Sequence, residues 1–160
     1  MVELEALLTT LAVVATMANA VVYGTDVFSA VVQRPAMAHV DDVVLTSAMG
    51  QTHRFGDRRM PVPGVFGLVA TVATAAVAGF GGKAAPALAA GVAALALVVW
   101  LAVYNKVSAP VNKQLTGAAL DCRTAPDARA LQRTWDSVIN ARVLLQAVAL
   151  GGMCVALVTS

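Results

Sequence analysis

Hydrophobic residues follow one another in four long runs that contain no charged side chain. The runs cover residues 6–25, 60–82, 84–105 and 143–160. Each run reaches or approaches the roughly 20 residues that an α-helix needs to cross about 30 Å of hydrocarbon. Since a soluble protein of this length rarely contains four such helices, the pattern predicts an all-α integral membrane protein whose helices form a four-helix up-down bundle.

Polar and turn residues beside the runs set the limits of the predicted elements. A single membrane domain of residues 1–160 contains predicted spans at 4–32, 62–82, 84–105 and 135–159, with polar loops at 33–61 and 106–134. The segment Ala36 to Gln51 has apolar residues on one face, which predicts a short interfacial helix after the first span. Pro110 predicts an interruption of the helix after the third span, and Ser108 and Asn112 are candidate caps of the segment that follows.

The composition supports a membrane protein and excludes several other classes. Hydrophobic residues make up 59% of the chain and charged residues 12%, and the mean hydropathy is +0.76. A soluble domain has about twice this share of charge. This proportion of hydrophobic to charged residues excludes a disordered chain, a disulfide scaffold and a nucleic-acid binder. The expected partner is therefore the lipid bilayer, and nucleic acid is not an expected partner.

The basic residues predict the orientation of the chain. Nine of the eleven Lys and Arg residues lie in the two polar loops, which an up-down bundle places on the same side. The positive-inside rule puts these loops in the cytoplasm. The predicted localisation is therefore the cell membrane, with several passes and with both termini outside.

Polar side chains inside the predicted spans are costly in a bilayer and are the first candidates for chemistry. Tyr23 and Asp26 share one face of the first helix, and Asn140 and Arg142 lie early in the fourth. Asp26 and Arg142 have similar predicted depths, which predicts an ion pair. The sequence leaves open whether this pair fixes the helix register or acts in binding or catalysis.

Further polar and aromatic residues are predicted to converge at the cytoplasmic end of the bundle. They suggest a pocket with aromatic walls from Tyr23, Trp100, Tyr104 and Trp135 and with polar groups from Asn105, Asn112 and Asn140. Aromatic residues at this depth are also common as interface anchors, so that alternative stays open. Small-residue pairs such as Ala75/Gly79 and Ala87/Gly91 predict close packing between helices.

His39 and His53 are the only candidates for metal ligands of the histidine type. On one helix their separation corresponds to about 21 Å, so they do not share an ion unless the helix breaks between them. Neither has the spacing of a known metal motif. The sequence requires no cofactor, and it leaves the presence of a metal or a haem open.

Several short motifs resemble one family of membrane proteins. They are Gln33-Arg34-Pro35-Ala36, Arg59-Met60-Pro61, Asn105 with Pro110-Val111-Asn112, and Trp135 with Asn140 and Arg142. Their order and spacing resemble the anthrone oxygenase-like family of small four-helix integral membrane proteins, many members of which have no known function. The resemblance extends over nearly the whole chain.

The resemblance implies an enzyme that oxidises anthrones to anthraquinones with molecular oxygen. Carried onto this chain, it implies that Asn105, Asn112, Trp135, Asn140 and Arg142 line the active pocket. For this chemistry, a carboxylate or histidine removes a proton from the substrate, and Asp26 or His39 is the candidate base. Arg142 then stabilises the enolate with Asn112 or Asn140.

The sequence leaves more than one function open. One is an enzyme acting on an apolar aromatic or lipid-like small molecule that enters from the bilayer. The alternative is a non-catalytic accessory or lipid-binding subunit of a larger membrane complex. A homo-oligomer is compatible with either. A small transporter is less favoured, because the chain has no inverted repeat.

Overall fold

The computed structural model describes residues 2–160, and throughout these residues the ordered elements are helical. Seven α-helices and two π-helical turns account for them. The α-helices are α1 (Val2–Phe28), α2 (Arg34–Ala38), α3 (Asp42–Arg59), α4 (Pro61–Phe80), α5 (Ala84–Val103), α6 (Ala109–Leu120) and α7 (Ala128–Val158), and the π-helical turns are Ser29–Gln33 and Tyr104–Ser108. No strand occurs in this part of the chain, so the prediction of an all-α protein is confirmed.

Four continuous helices in the described residues are long and apolar enough to cross a membrane. They are Val2–Ala38, Pro61–Phe80, Ala84–Leu120 and Ala128–Val158. Large apolar side chains on them, such as those of Phe80, Leu88 and Leu144, are strongly exposed. Water disfavours so much exposed apolar surface, whereas lipid accommodates it. The predicted four apolar helices are therefore present, and they are compatible with a multi-pass membrane protein.

The two π-helical turns occur where a proline follows within a continuous helix. Ser29–Gln33 precedes Pro35, and Tyr104–Ser108 precedes Pro110. Proline has no N–H and its ring crowds the carbonyl four residues earlier, which in both cases lies inside the π-helical turn. A wider turn relieves this conflict without ending the helix. The predicted interruption at Pro110 is therefore wrong, because the helix continues from Ala84 to Leu120.

The segment predicted as one helix from Ala36 to Gln51 is divided in the structure. Helix α2 ends at Ala38, and Asp41 has an extended backbone (φ −75°, ψ 173°) before α3 begins. The Asp41 carboxylate accepts a hydrogen bond from the backbone N–H of Val44 at 2.8 Å. Aspartate at this position satisfies a free donor of the first helical turn, which is why a new helix starts here. It runs eight residues beyond the predicted end, to Arg59.

The chain divides into two compact units. The first unit comprises residues 2–24, 62–100 and 144–160, and the second comprises residues 25–61 and 101–143. The core of the first unit is rich in alanine and includes Ala12, Ala93, Ala149 and Met153. The core of the second unit has larger side chains, among them Leu45, Met49, Leu115, Trp135 and Ile139.

Glycines allow close helix approaches inside the first unit, although not at the predicted pairs. A Cβ at position 67 would lie 2.2 Å from Oδ1 of Asn19, and one at position 152 would lie 2.8 Å from the carbonyl oxygen of Ala89. Gly79 and Gly91 instead have open space around them. The small-residue pattern thus predicts close packing correctly but identifies the wrong glycines.

Helices α3 and α6 cross closely in the second unit. A Cβ at Gly50 would lie 2.4 Å from that of Ala119 and 2.5 Å from the carbonyl oxygen of Leu115. The Thr116 hydroxyl donates a hydrogen bond to the carbonyl oxygen of Gly50 at 3.1 Å. The missing side chain at Gly50 therefore lets the two backbones meet, and this crossing fixes where the polar residues of α3 lie relative to α6.

Candidate functional site

Arg142 of α7 makes a buried ion pair with Asp26 of α1. Its Nη2 lies 2.5 Å from Oδ1 of Asp26, and its Nη1 donates to Oγ of Ser108 at 3.0 Å. Arg142 is 7% exposed and Asp26 1% exposed. The ion pair predicted from the sequence is therefore present. Ser108 does not cap α6 with its side chain, and its hydroxyl instead accepts a hydrogen bond from Arg142.

Two aromatic rings lie against the same guanidinium. Its central carbon is 5.6 Å from the ring centroid of Tyr104 and 5.3 Å from that of Trp135. A guanidinium is planar and weakly hydrated, so aromatic faces stabilise it well once water is excluded. The rings and the Asp26 carboxylate together hold the charge of Arg142 in a fixed place.

The second π-helical turn supplies two of the groups around Arg142. Tyr104 and Ser108 are its first and last residues. π-helical turns are rare and are frequent at functional sites, because they change which side chains face one direction. Pro110, which follows this turn, therefore affects both the winding of the helix and the position of two side chains beside Arg142.

Asp57 of α3 extends the cluster. Its Oδ1 accepts a hydrogen bond from the Tyr104 hydroxyl at 2.7 Å and another from Nδ2 of Asn112 at 2.8 Å. His53 lies one turn earlier on α3, and its ring centroid is 5.6 Å from that of Trp135. We call these connected residues the Arg142 cluster: Asp26, His53, Asp57, Tyr104, Ser108, Asn112, Trp135 and Arg142.

Around Arg142 itself, three buried polar atoms of other residues in the cluster have no hydrogen-bond partner in the described protein. They are Nε2 of His53, Oδ1 of Asn112 and Nε1 of Trp135, on side chains that are 5%, 3% and 5% exposed. Each such atom costs about 1–3 kcal/mol when it stays unpaired, and most buried polar atoms are paired. The set offers an acceptor, a donor and an imidazole nitrogen to a molecule that enters the cluster.

The His53 imidazole is uncharged at neutral pH. The pKa of His53 is lowered to about 4, chiefly by burial; the carboxylate of Asp57 opposes this decrease and the nearby charge of Arg142 adds to it. Removing a charged group from water disfavours its charged form, which is why burial has the largest effect. His53 therefore presents a ring nitrogen with a free lone pair, or an N–H, depending on its tautomer.

The other predicted site residues lie elsewhere. His39 is exposed and its Nδ1 is 2.8 Å from the carbonyl oxygen of Pro35. Asn105 is exposed and donates to the carbonyl oxygen of Leu101 at 2.8 Å. The exposed Asn140 accepts from Arg34 at 3.2 Å, and Tyr23 is half-buried in the first unit. Of the predicted set, the structure brings together Asp26, Tyr104, Asn112, Trp135 and Arg142.

Sequence reasoning missed Asp57 and the contact of His53 with Trp135. The predicted helix ends at Gln51, so both residues lie in a predicted loop whose Lys and Arg residues indicate the orientation of the chain. The available signal was the separation of His53 and Asp57 by four residues, which places them on one face if the helix continues. Nothing in the sequence marks that face as the one packed against Trp135.

The arrangement does not form a recognisable metal centre. Within residues 2–160, no three side chains of His, Cys, Asp or Glu lie close enough together to hold one metal ion. His39 lies in the break between α2 and α3, whereas His53 lies within α3. No family model, no curated protein and no solved structure matches the chain.

Proposed function

We propose that the chain crosses the cell membrane four times as an up-down bundle, with the loops 33–61 and 106–134 in the cytoplasm. Four apolar helices of sufficient length support this arrangement. The concentration of Lys and Arg in the two loops sets the orientation. The part of the chain that contains α2 and α3 then lies at the cytoplasmic interface.

Cysteine labelling in intact cells tests this orientation. Cys122 is free and exposed and lies in a loop that we place in the cytoplasm, so a membrane-impermeant maleimide should label it only after permeabilisation. A Ser160→Cys variant made in a Cys122→Ser, Cys154→Ser background should be labelled in intact cells. Labelling of Cys122 without permeabilisation would reverse the proposed orientation.

We propose further that the Arg142 cluster binds an apolar aromatic molecule and oxidises it with O2, as the resemblance to anthrone oxygenases implies. The observation that supports this most is the set of three unpartnered buried atoms beside a guanidinium. A hydroxylated aromatic ketone matches them: Nε1 of Trp135 donates to its carbonyl oxygen, and Oδ1 of Asn112 accepts from its hydroxyl. The rings of Tyr104 and Trp135 supply aromatic surface.

The proposed reaction begins with the loss of a proton from the CH2 group that lies opposite the carbonyl in the central ring of the substrate and is conjugated with it through the flanking aromatic rings. The negative charge moves to the carbonyl oxygen, where Arg142 and the N–H of Trp135 stabilise it. The carbon then reacts with O2. Overall, the CH2 group and one O2 give a ketone and one H2O, so the substrate supplies all the electrons that reduce the oxygen.

His53 is the proton acceptor that the contacts favour. The Asp26 carboxylate is engaged by Arg142, and Nδ1 of the exposed His39 is 2.8 Å from a backbone carbonyl. The buried Nε2 of His53 has no partner. A pKa of about 4 makes the resting imidazole a weak base, but the enolate charge that forms beside it raises that pKa during the transfer.

Turnover of anthrone tests the proposal. Purified protein in neutral detergent is given a hydroxylated anthrone, 1,8-dihydroxyanthrone, and air, and O2 consumption and anthraquinone absorbance are compared with the protein-free rate. His53→Asn should lower kcat about 10²- to 10⁴-fold, the range expected for loss of a general base. His39→Asn separates the two histidines and should leave kcat within about twofold.

Three results would count against this assignment. A wild-type rate equal to the protein-free rate would exclude the proposed oxygenase activity. Loss of turnover in His39→Asn would identify His39, rather than His53, as the general base. Quenching of Trp fluorescence by anthrone in the wild type, absent in Trp135→Phe and unaccompanied by O2 use, indicates a non-catalytic binding subunit instead.

A further inference from the structure

A groove between α3 and α6 lies outside the proposed oxidation chemistry. Its volume is about 420 Å³, and Arg54, Arg58, Lys113, Gly117 and Leu120 contribute to its walls. It belongs entirely to the second unit. The groove shares one lining residue, Asp57, with the Arg142 cluster.

The groove carries more positive charge than its neighbours neutralise. Arg54, Arg58 and Lys113 make none of the ion pairs found in the described residues. The one carboxylate at the groove, that of Asp57, has an oxygen that already accepts two hydrogen bonds. An anion that enters therefore meets three cations, and the hydrogen bonds from Tyr104 and Asn112 weaken the repulsion from Asp57.

Arg54 also has an unsatisfied donor. Its Nε is buried and has no hydrogen-bond partner, and its Nη1 makes one long contact of 3.4 Å with Oε1 of Gln51. A guanidinium in this state matches the oxygens of a phosphate, which it binds through two parallel N–H groups. The charge and the unpaired donor point independently to a phosphate-like ligand.

An apolar side chain lies at one part of the groove. Leu120 is 50% exposed and ends α6, the last part of a continuous helix that is apolar enough to cross a membrane. A ligand with an anionic head and an apolar tail can contact both the basic side chains of the groove and Leu120. A free phosphate ion would leave the leucine uncovered.

We propose that this groove binds the phosphate headgroup of an anionic phospholipid. The inner leaflet of cell membranes carries such lipids, and basic pockets beside membrane helices recognise them. The proposal rests on the membrane orientation given above and not on the oxygenase activity. Arg54, Arg58 and Lys113 bind the phosphate, and the first acyl carbons lie along Leu120.

Lipid retention measured by native mass spectrometry tests this. The protein in neutral detergent is titrated with dioleoylphosphatidylglycerol or with dioleoylphosphatidylcholine. The wild type should bind the anionic lipid more tightly, and the Arg58→Gln, Lys113→Gln double variant should bind it about tenfold more weakly. The Lys106→Gln, Arg133→Gln double variant loses the same charge at exposed positions outside the groove and should bind as the wild type does.

A second pair of variants leaves the charge unchanged. A Cβ at Gly117 meets no atom within 4 Å, so Gly117→Leu projects into the groove without disturbing the helices and should also weaken binding about tenfold. Gly56→Leu is the matched control, because position 56 on α3 is equally open and does not line the groove.

The outcomes distinguish a phospholipid from free phosphate as the ligand, and they distinguish the lipid-binding proposal from the oxygenase proposal. Equal binding of both lipids by the wild type overturns the inference, as does equal weakening in the groove and control variants. Thermal stabilisation by inorganic phosphate alone, equal to that by the anionic lipid, assigns the groove to small anions and overturns the lipid. Anthrone turnover in the Arg58→Gln, Lys113→Gln variant stays at the wild-type rate, so failure of one proposal is distinct from failure of the other.

Discussion

The two units bury polar side chains in different ways. In the first unit, Nδ2 of Asn19 donates to the Thr71 hydroxyl at 3.1 Å, and the hydroxyls of Thr71 and Thr74 donate to carbonyls of their own helix. These groups are neutral, and Gln146 alone among the first-unit residues described has a buried oxygen without a partner. The second unit buries an ion pair and three unpartnered atoms in connected residues. Burial of polar groups is therefore common to both units, and the concentration of charge and unused hydrogen-bonding capacity distinguishes the second.

Breaking the ion pair of the second unit should have the largest effect on stability. Arg142→Met or Asp26→Leu leaves one buried charge without its partner, and each should lower the free energy of unfolding by about 3–5 kcal/mol. The double variant should recover more than half of that loss. Glu5→Gln, which breaks the exposed pair with Lys83 in the first unit, should cost less than about 1 kcal/mol. Unfolding in detergent measures all four, and similar losses in both units would contradict the comparison.

Acid should weaken the second unit through His53. The folded pKa of about 4 lies below the ordinary value of 6.5, so the unfolded chain binds the proton more readily between these pH values. Stability should therefore fall as the pH decreases from 6.5 to 4, by about 3 kcal/mol in all, and this contribution should level off below pH 4. His53→Gln should remove this component and His39→Gln should keep it. The same slope in both variants would exclude His53 as its source.

Adding one methyl group should distinguish two glycines of α4 in the first unit. Gly67→Ala places a Cβ 2.2 Å from Asn19 and should cost about 1–3 kcal/mol through the displacement of packed groups. Gly79→Ala meets open space and should be neutral or should stabilise by up to about 1 kcal/mol, because alanine favours helix more than glycine does. Thermal unfolding in detergent measures the difference. Equal effects would mean that Asn19 does not lie against α4.

The smallest effect is expected from removing one hydroxyl. Tyr104→Phe deletes the hydrogen bond to Asp57 and should cost about 0.5–1.5 kcal/mol. Tyr23→Phe is the matched control in the first unit, where the tyrosine hydroxyl makes no hydrogen bond to the described residues, and it should change stability by less than half as much. A larger loss for Tyr23 would place an important polar contact in the first unit.

The sequence was sufficient to predict the parts of the molecule that depend on polarity alone. Four apolar helices follow from charge-free runs, and the Asp26–Arg142 pair follows because opposite charges in two such helices stabilise each other at similar depth. Asp57 illustrates what a pattern does not contain. Its role depends on α3 continuing past Gly50 and crossing α6 there, and that crossing is decided by the shape of facing backbones.

Gly67 and Gly79 make the same point for packing. Both lie in α4, Gly67 between Phe66 and Leu68 and Gly79 between Ala78 and Phe80, and neither set of neighbours shows which glycine faces another helix. They differ in whether another helix lies opposite: Gly67 lies against Asn19, whereas Gly79 faces open space. The spacing of residues along α4 does not reveal this difference. Pro110 is a third case, since a π-helical turn let the helix continue where the proline rule predicts an end.

The π-helical turn at Tyr104–Ser108 also changes the direction in which all later side chains of this helix point. Such a turn contains about one residue more than an α-helical turn, and each residue corresponds to about 100° around the axis. Shortening the chain by one residue there would restore regular winding and leave the apolar length almost intact. Every side chain after it would nevertheless be rotated by about 100° relative to Leu101, which would turn Asn112 away from Asp57. The number of residues in this turn therefore matters as much as their identity for bringing Asn112 into the Arg142 cluster.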